Sequence, residues 1–332
     1  MKKLIGVALI AVACVAAEGY HVLSKMHIGG ATGWDYLTMD SAGRRLYVSN
    51  GTRVVVIDPD AEKVVGEIKD LQGVHGIALA RDLNRGFISN GRANTVTIFD
   101  LKTLAKVGEV KAGTNPDAIV FEPESGRVFT FNGRSHDSTA IDAKTGDVAG
   151  TFPMGGKPEF AAVDGKGKIY VNVEDTSEIA EVDAKKMAVT RRAALKPCEE
   201  PSGLAMDEKH RRLFSVCDNK LMVVTDADSL KVIATPAIGQ GPDAAGFDAE
   251  EGIAYSSNGE GTLTLVKEVS GKYEAVATVP TERGARTMAV DTEKHRVYLP
   301  TAEFGPMPEA KEGQRVRPPV LPDSFHLVVV GK

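Results

Sequence analysis

The chain has 332 residues, with 40 basic against 45 acidic side chains, a formal net charge of −5 and a pI of about 5.9. This balance predicts that nucleic acid is not a partner, because domains that bind the phosphate backbone are basic and commonly have a pI above about 9. After the N-terminal residues, no segment has the roughly 20 apolar residues of a transmembrane helix.

The N-terminal residues have the pattern of a secretory signal. Two lysines precede an apolar run at residues 4–13, and residues 15–17 offer small side chains for cleavage. We therefore predict a signal peptide at residues 1–17 and a periplasmic or secreted mature protein. Lipid attachment at Cys14 is an alternative, which is disfavoured because Ala11 stands where a lipoprotein signal usually has leucine.

The rest of the chain carries an internal repeat. A short β-rich run with an aromatic residue recurs seven times, with successive gaps of 40, 42, 41, 44, 41 and 43 residues. The aromatic residues are Tyr47, Phe87, Phe129, Tyr170, Phe214, Tyr255 and Tyr298. A period of about 40 to 45 residues with several strands per repeat is typical of β-propeller blades. We therefore predict an all-β fold, a single seven-bladed β-propeller at residues 18–332.

Each blade is predicted to begin with its inner strand. The predicted starts lie near residues 35, 76, 117, 159, 202, 243 and 286. Gly, Asn and Asp separate the runs of Val, Ile, Phe and Thr, as expected for turns between strands. Aspartates that end the third strand of a blade, such as Asp58 and Asp100, are interpreted as turn formers rather than ligands.

Blade seven is incomplete in chain order. Residues 286–291, 296–300 and 325–330 supply three strands, so the outer strand is predicted to come from residues 21–28. Pairing the two ends of the chain closes the ring of blades and removes exposed sheet edges. A long, proline-rich loop at residues 301–323 interrupts this blade, and we predict that it covers the central channel.

The repeats resemble a known family. The segments at residues 47–50 (YVSN), 116–118 (PDA) and 242–244 (PDA) are similar to the YVTN repeat family of bacterial propellers, which includes the YncE-type proteins. The resemblance covers essentially the whole mature chain. It implies the propeller fold but says little about activity, because the motif residues are turn formers and core positions. Blade six departs from the pattern with Val-Lys at residues 266–267, and blade four departs as well.

The loops that enter the inner strands supply the first candidate site residues. These predicted ligand-binding residues at the mouth of the channel are Trp34, Asp35, His75, Asp117, Glu159, Asp243 and Arg286. Carboxylates that converge on one axis can hold a metal ion or a cationic ligand. Alternatively, Asp117 and Asp243, which each follow a proline, only stabilise the turn into the strand.

The loops between the second and third strands open on the same face. The candidates on this loop face are Arg92, Asn132, Arg134, His136, Glu174, Glu260 and, in the long loop, Phe304. The loop at residues 132–137 mixes acid–base groups, but no nucleophile or orienting partner is identifiable. Catalytic residues and metal ligands are therefore not assigned.

Cleavage of the signal leaves Cys198 and Cys217 in an oxidising compartment, where disulfides persist. Both cysteines lie toward the loop face of blade five, in loops that can bring their Cα atoms within the roughly 4.4–6.8 Å that a bridge requires. We predict a disulfide between them; the alternative is two unpaired, buried cysteines.

The leading functional hypothesis is a non-catalytic, monomeric extracytoplasmic propeller that binds a small ligand or a protein partner on its loop face. A metal-dependent hydrolase or lyase of the lactonase type is an alternative, since some propellers that resemble this one place a metal ion at the channel mouth. DNA binding is implied by the resemblance to YncE-type proteins and opposed by the acidic composition. No cofactor is predicted beyond a divalent cation at the mouth, because nucleotide-binding, zinc and haem motifs are missing from the sequence.

Overall fold

The computed structural model describes residues 19–30, 33–308 and 318–332. The predicted signal peptide and Cys14 lie outside these residues. In the described part of the chain, 28 strands form seven four-stranded antiparallel sheets, with one short 3-10 helix at Arg81–Leu83. The predicted all-β, seven-bladed propeller is confirmed. Among the described residues no helix is long and apolar enough to cross a membrane.

Six blades are continuous in sequence and run from the inner to the outer strand. The strands of blades one to three are β2 (Leu37–Asp40), β3 (Arg45–Asn50), β4 (Arg53–Asp58), β5 (Lys63–Ile68), β6 (Val74–Ala80), β7 (Arg85–Asn90), β8 (Thr95–Asp100), β9 (Lys106–Lys111), β10 (Pro116–Glu122), β11 (Arg127–Asn132), β12 (Asp137–Asp142) and β13 (Val148–Pro153). Those of blades four to six are β14 (Pro158–Val163), β15 (Lys168–Val173), β16 (Glu178–Asp183), β17 (Ala188–Ala194), β18 (Pro201–Asp207), β19 (Arg212–Cys217), β20 (Leu221–Asp226), β21 (Val232–Ala234), β22 (Pro242–Asp248), β23 (Ile253–Asn258), β24 (Thr262–Val269) and β25 (Lys272–Pro280). Blade seven consists of β26 (Ala289–Asp291), β27 (Arg296–Thr301), β28 (His326–Gly331) and β1 (His21–His27).

The repeated aromatic residues form the cores between neighbouring blades. All seven are at most 2% exposed. Tyr47 of blade one, for example, packs against Phe99 of blade two with ring centroids 5.8 Å apart, in a cluster that also contains Ile88. The hydrophobic core is thus divided into layers between adjacent sheets, and the period of about 40 residues reflects a buried aromatic side chain that recurs on the second strand of each blade.

The N-terminal strand closes the ring of blades, as predicted. β1 pairs antiparallel with β28, from His21 opposite Gly331 to His27 opposite His326. Just before this strand, the hydroxyl of Tyr20 lies 2.8 Å from that of Tyr255 in blade six, and both side chains are buried. The two ends of the chain therefore meet in one sheet and share its core.

Aspartates at the ends of third strands form turns, as their sequence context predicts. Asp58 accepts hydrogen bonds from the backbone amides of Asp60 and Ala61, both at 3.0 Å. Asp100 makes the equivalent bonds in blade two. These bonds lower the pKa of both carboxyl groups. The two aspartates therefore stabilise turns on the face opposite to the candidate site.

Candidate functional site

Two adjoining cavities open where the inner strands begin, a face that we call the channel mouth. The larger cavity has a volume of about 710 Å³ and the smaller one about 510 Å³. Gly33 and Trp34 line both, so Trp34 stands on the boundary between them. The charged and aromatic residues that line the larger cavity are Trp34, Glu174, Glu200, Asp218, Asp243, Arg283, Arg286 and Phe304. The smaller cavity is lined by residues that include Trp34, Asp35, His75, Arg92, Asn115 and Arg134.

An aromatic pair lies near the axis of the propeller. The rings of Tyr36 and Phe160 have centroids 4.2 Å apart. Because these residues come from blades one and four, on opposite sides of the propeller, their contact lies near its axis. Burial and the charge of Asp117 raise the pKa of Tyr36 well above its usual range. This aromatic pair packs near the charged residues of the mouth but lines neither cavity.

His75 lies between two of the predicted carboxylates. Its Nδ1 atom is 2.5 Å from Asp35 Oδ2 and 3.5 Å from Asp117 Oδ1. Burial disfavours the imidazolium, but the hydrogen bond to Asp35 and the charge of Asp117 outweigh it and raise the pKa of His75 to about 9. Burial and the charge of Asp35 raise the pKa of Asp117 to about 6. The two carboxylates and the imidazole therefore form one electrostatically linked cluster.

Serines of the second strands hold these residues in place. The backbone amide of Asp35 donates to Ser49 Oγ at 2.8 Å. Ser89 Oγ accepts from the amide of Gly76 at 2.8 Å and donates to the carbonyl of Asp117 in the next blade at 2.5 Å. The serine of the YVSN-type segment thus fixes where the inner strands, and the site residues at their starts, lie relative to one another.

Glu159 belongs to a second charged cluster in blade four. Lys157 Nζ is 2.7 Å from Glu159 Oε1 and also binds Glu174. Burial and the charge of Asp117 raise the pKa of Glu159 to about 8, against the opposing effect of Lys157. Lys157 therefore compensates part of the negative charge that the sequence places at this position.

Asp243 and Arg286 form an ion pair at the mouth. Burial raises the pKa of Asp243 to about 6, while Arg286 opposes this effect. Ser257 Oγ donates to the carbonyl of Arg286 at 2.5 Å, which repeats in blades six and seven the role of Ser89. This pair lines the larger cavity, whereas Asp35 and His75 line the smaller one.

The two ends of the long loop lie over the larger cavity. Phe304 and Val320 form an isolated antiparallel β-bridge, and both residues line the cavity. The ring centroid of Trp34 is 6.3 Å from that of Phe304 and 5.5 Å from that of Phe325. Arg283 lies over the ring of Phe304 at 5.9 Å. Residues 309–317 of this loop are outside the described residues.

Other loop-face candidates lie in different surroundings. Asn132 is buried and bonds Asp137 at 2.6 Å, in a role within its own blade. His136 is exposed and does not line either cavity, and Glu260 accepts from Thr262 on the surface at 3.0 Å. The structure thus separates these three residues from the charged clusters at the channel mouth.

Sequence reasoning missed three charged residues of the mouth: Lys157, Glu200 and Arg283. The first two directly precede the prolines that open β14 and β18. Asn115, which precedes the proline of β10, also lines the smaller cavity. A strand-opening proline is therefore a signal that could have revealed Lys157 and Glu200, whereas Arg283 has no such signal in the sequence.

The predicted disulfide between Cys198 and Cys217 is confirmed, with Cα atoms 5.4 Å apart. Cys198 lies two residues before Glu200, and Cys217 directly precedes Asp218, so the bond joins the two loops that carry these acids into the larger cavity. The amide of Asp218 also donates to the carbonyl of Glu199 at 2.9 Å. The disulfide therefore fixes part of the cavity wall.

Comparison with known proteins supports the fold alone. No protein-family model and no curated protein matches the chain. Among solved structures, the chain is similar to Hydrazine Synthase of Kuenenia stuttgartiensis, with a TM-score of 0.71 and 16% identity, over 82% of this chain and 94% of that one. It is also similar to U3-55K, with a TM-score of 0.74 and 8% identity, over 93% and 98% of the two chains. These similarities and the strand topology define the class of this protein as a seven-bladed β-propeller.

Proposed function

We propose that the protein is an extracytoplasmic binding propeller whose channel mouth takes a small ligand with a cationic group. The larger cavity carries this proposal, because four carboxylates there outnumber two arginines. They are Glu174, Glu200, Asp218 and Asp243 against Arg283 and Arg286. Asp243 already pairs with Arg286, and Glu174 pairs with Lys157. Glu200 and Asp218, which are both exposed, therefore remain to attract a cation.

The aromatic wall of the same cavity supports this choice of ligand. Trp34 and Phe304 both line it, and faces of aromatic rings attract cations by about 0.5–2 kcal/mol, depending on how far the cation is desolvated. Arg283 already occupies such a position over Phe304. An ammonium group on an apolar body fits a cavity that has both acids and aromatic side chains.

The proposal also includes an extracytoplasmic compartment and a repeat family. A disulfide persists in an oxidising, extracytoplasmic environment, and the signal peptide predicted at residues 1–17 supports the same compartment. We infer a periplasmic or secreted monomer of the YVTN repeat type, on the YVSN and PDA segments quoted above.

The test is calorimetric titration of the mature protein with a panel of primary and quaternary ammonium compounds, zwitterions and matched carboxylates. We expect ammonium compounds to bind and carboxylates of the same size not to. The double variant Glu200→Gln/Asp218→Asn should weaken the binding of the best ammonium ligand by about tenfold or more, because each change removes one charge from the cavity wall.

The matched control is Asp82→Asn/Glu208→Gln, which makes the same change in net charge in turns on the opposite face. This control should retain the parent affinity. Preferential binding of carboxylates, or equal affinity in the site variant and the control, would show that the larger cavity does not select cations.

A further inference from the structure

We propose that Asp35, His75 and Asp117 form a binding site for a divalent first-row transition-metal ion at the channel mouth. His75 Nδ1, Asp35 Oδ2 and Asp117 Oδ1 are close together: Nδ1 is 2.5 Å from the first oxygen and 3.5 Å from the second. One ligand atom from each residue lies within 4.8 Å of the other two. This site goes beyond the proposed ligand function, because Asp35 and His75 line the smaller cavity and none of the three residues lines the larger one.

The spacing fits an ion with little rearrangement. Zinc-like ions bind nitrogen and oxygen ligands at about 2.0–2.2 Å, so two ligand atoms on one ion lie roughly 3–3.5 Å apart. The distance between His75 and Asp117 is already in this range. The shorter distance between His75 and Asp35 is that of a hydrogen bond, so an ion has to replace the proton that the two share.

Both carboxylates face the same ring nitrogen, which distinguishes this cluster from another one in the described residues. His295 also contacts two carboxylates, but Asp248 lies 2.7 Å from its Nδ1 atom and Glu250 3.5 Å from its Nε2 atom. The two nitrogens of an imidazole point in different directions, so those carboxylates cannot share one ion with the ring. In the cluster of His75 they can.

The surroundings hold the three ligands yet leave access. Their side chains are 26%, 20% and 17% exposed for His75, Asp35 and Asp117. Ser49 and Ser89 fix the backbone of the two aspartates. Gly91 leaves room for the imidazole, since a Cβ atom there would lie 2.5 Å from His75 Nε2. Three protein ligands beside an open cavity leave coordination positions for water or a further ligand.

The donor set indicates the class of ion. One imidazole nitrogen and two carboxylate oxygens suit Zn²⁺, Co²⁺ or Mn²⁺, whereas Ca²⁺ and Mg²⁺ prefer sites made only of oxygen. We therefore expect first-row transition-metal ions to bind more tightly than Ca²⁺ or Mg²⁺.

The experiment uses the untagged mature protein, with Co²⁺ followed by visible absorption and Zn²⁺ by calorimetry. We expect one ion per chain, and about a tenfold or greater loss of affinity in His75→Ala and in Asp117→Asn. His295→Ala, which removes the other imidazole flanked by carboxylates, should bind the ion as the parent does. The melting temperature of each variant is measured alongside, and the isosteric Asp117→Asn decides the result if His75→Ala does not fold.

Lack of a Co²⁺ spectrum and of Zn²⁺ heat in the parent protein would overturn the proposal. Unchanged affinity in Asp117→Asn, a loss confined to His295→Ala, or tighter binding of Ca²⁺ than of Zn²⁺ would overturn it as well. Because the ammonium titration depends on Glu200 and Asp218, either proposal can fail while the other holds.

Discussion

Glu181 shows how one buried carboxylate depends on its neighbours. It accepts hydrogen bonds from Thr190 Oγ1 at 2.7 Å, from Lys168 Nζ at 3.1 Å and from Arg191. Burial raises its pKa, but these donors outweigh burial and lower the pKa of Glu181 to about 2. Because the folded pKa lies below the usual value of 4.5, this carboxylate stabilises the fold above pH 4.5 and loses that effect as pH falls toward 2.

Replacing this carboxylate by an amide is therefore expected to have a pH-dependent effect. Glu181→Gln should lower the free energy of unfolding by about 2 kcal/mol at pH 7. The difference from the parent should shrink as pH falls below 4.5, since the parent then also loses the charge. Urea unfolding at pH 7, 4 and 3 measures this change.

Glu124→Gln is the matched control, because Glu124 pairs with Lys185 at 2.6 Å but is 52% exposed. Exposed ion pairs contribute little to stability, so this variant should unfold as the parent does at each pH. A deficit of Glu181→Gln that is equally large at pH 3 and pH 7 would contradict an origin in the charge of the carboxylate.

How far a residue's role can be predicted depends on how distant its partners are. Asp58 bonds amides two and three residues ahead, so its role in a turn could be predicted from local sequence. Ser89 bonds a carbonyl 28 residues away in the next blade, and Lys157 binds Glu174 over 17 residues. Such partners are fixed only by the packing of blades, so the pairing of charges at the mouth could not be predicted.

At the scale of elements, the strands could be predicted from local sequence patterns, whereas the long loop could be predicted only in part. The inner strands begin within three residues of their predicted positions, because alternation and turn residues are local signals. The described ends of the 301–323 loop, residues 301–308 and 318–323, are positioned by contacts with other blades. Phe304 meets Trp34 of blade one and Arg283, and neither contact has a signature in the loop itself.

The disulfide of blade five allows a test of how loops shape the cavity. The double variant Cys198→Ser/Cys217→Ser opens a link between residues 19 apart, so the free energy of unfolding should fall by about 3 kcal/mol through added entropy of the unfolded chain. Binding of the ammonium ligand should weaken too, because the loops with Glu200 and Asp218 are then less restrained. Urea unfolding and calorimetry measure the two effects.

Reduction of the parent protein by dithiothreitol should reproduce both effects, and Cys198→Ser alone should resemble the double variant. A double variant that retains the parent's stability and affinity would indicate that the neighbouring hydrogen bonds, such as that from Asp218 to Glu199, are sufficient to hold the loops.

At the scale of the whole molecule, the seam between blades one and seven joins the fold to the candidate site. Arg44 of blade one binds Asp291 of blade seven, with its two nitrogens 3.0 and 2.8 Å from the carboxylate oxygens. Thr287 Oγ1 donates to the carbonyl of Asp35 at 2.7 Å. The period of the sequence made closure predictable, because seven blades require one to combine both ends of the chain. Closure also positions Asp35. This effect could not be predicted, because it depends on contacts across the seam.

Removal of the closing strand should therefore unfold the protein. Deleting residues 20–28 removes β1 and exposes the edge of β28. It also uncovers the core between blades six and seven, where Tyr20 is 3% exposed, and the core between blades seven and one, where Met26 is 8% exposed. Burying two such side chains contributes roughly 3–6 kcal/mol, a large part of the 5–15 kcal/mol typical of a domain. We expect loss of the cooperative thermal transition, or self-association through the free edge. Calorimetry and light scattering measure these two outcomes.

The control is a chain that begins at residue 20, which should melt as the parent does. A synthetic peptide of residues 19–30 should partly restore the transition of the truncated protein. A truncated protein that stays monomeric with the parent's melting temperature would show that the other six blades hold the ring without this strand.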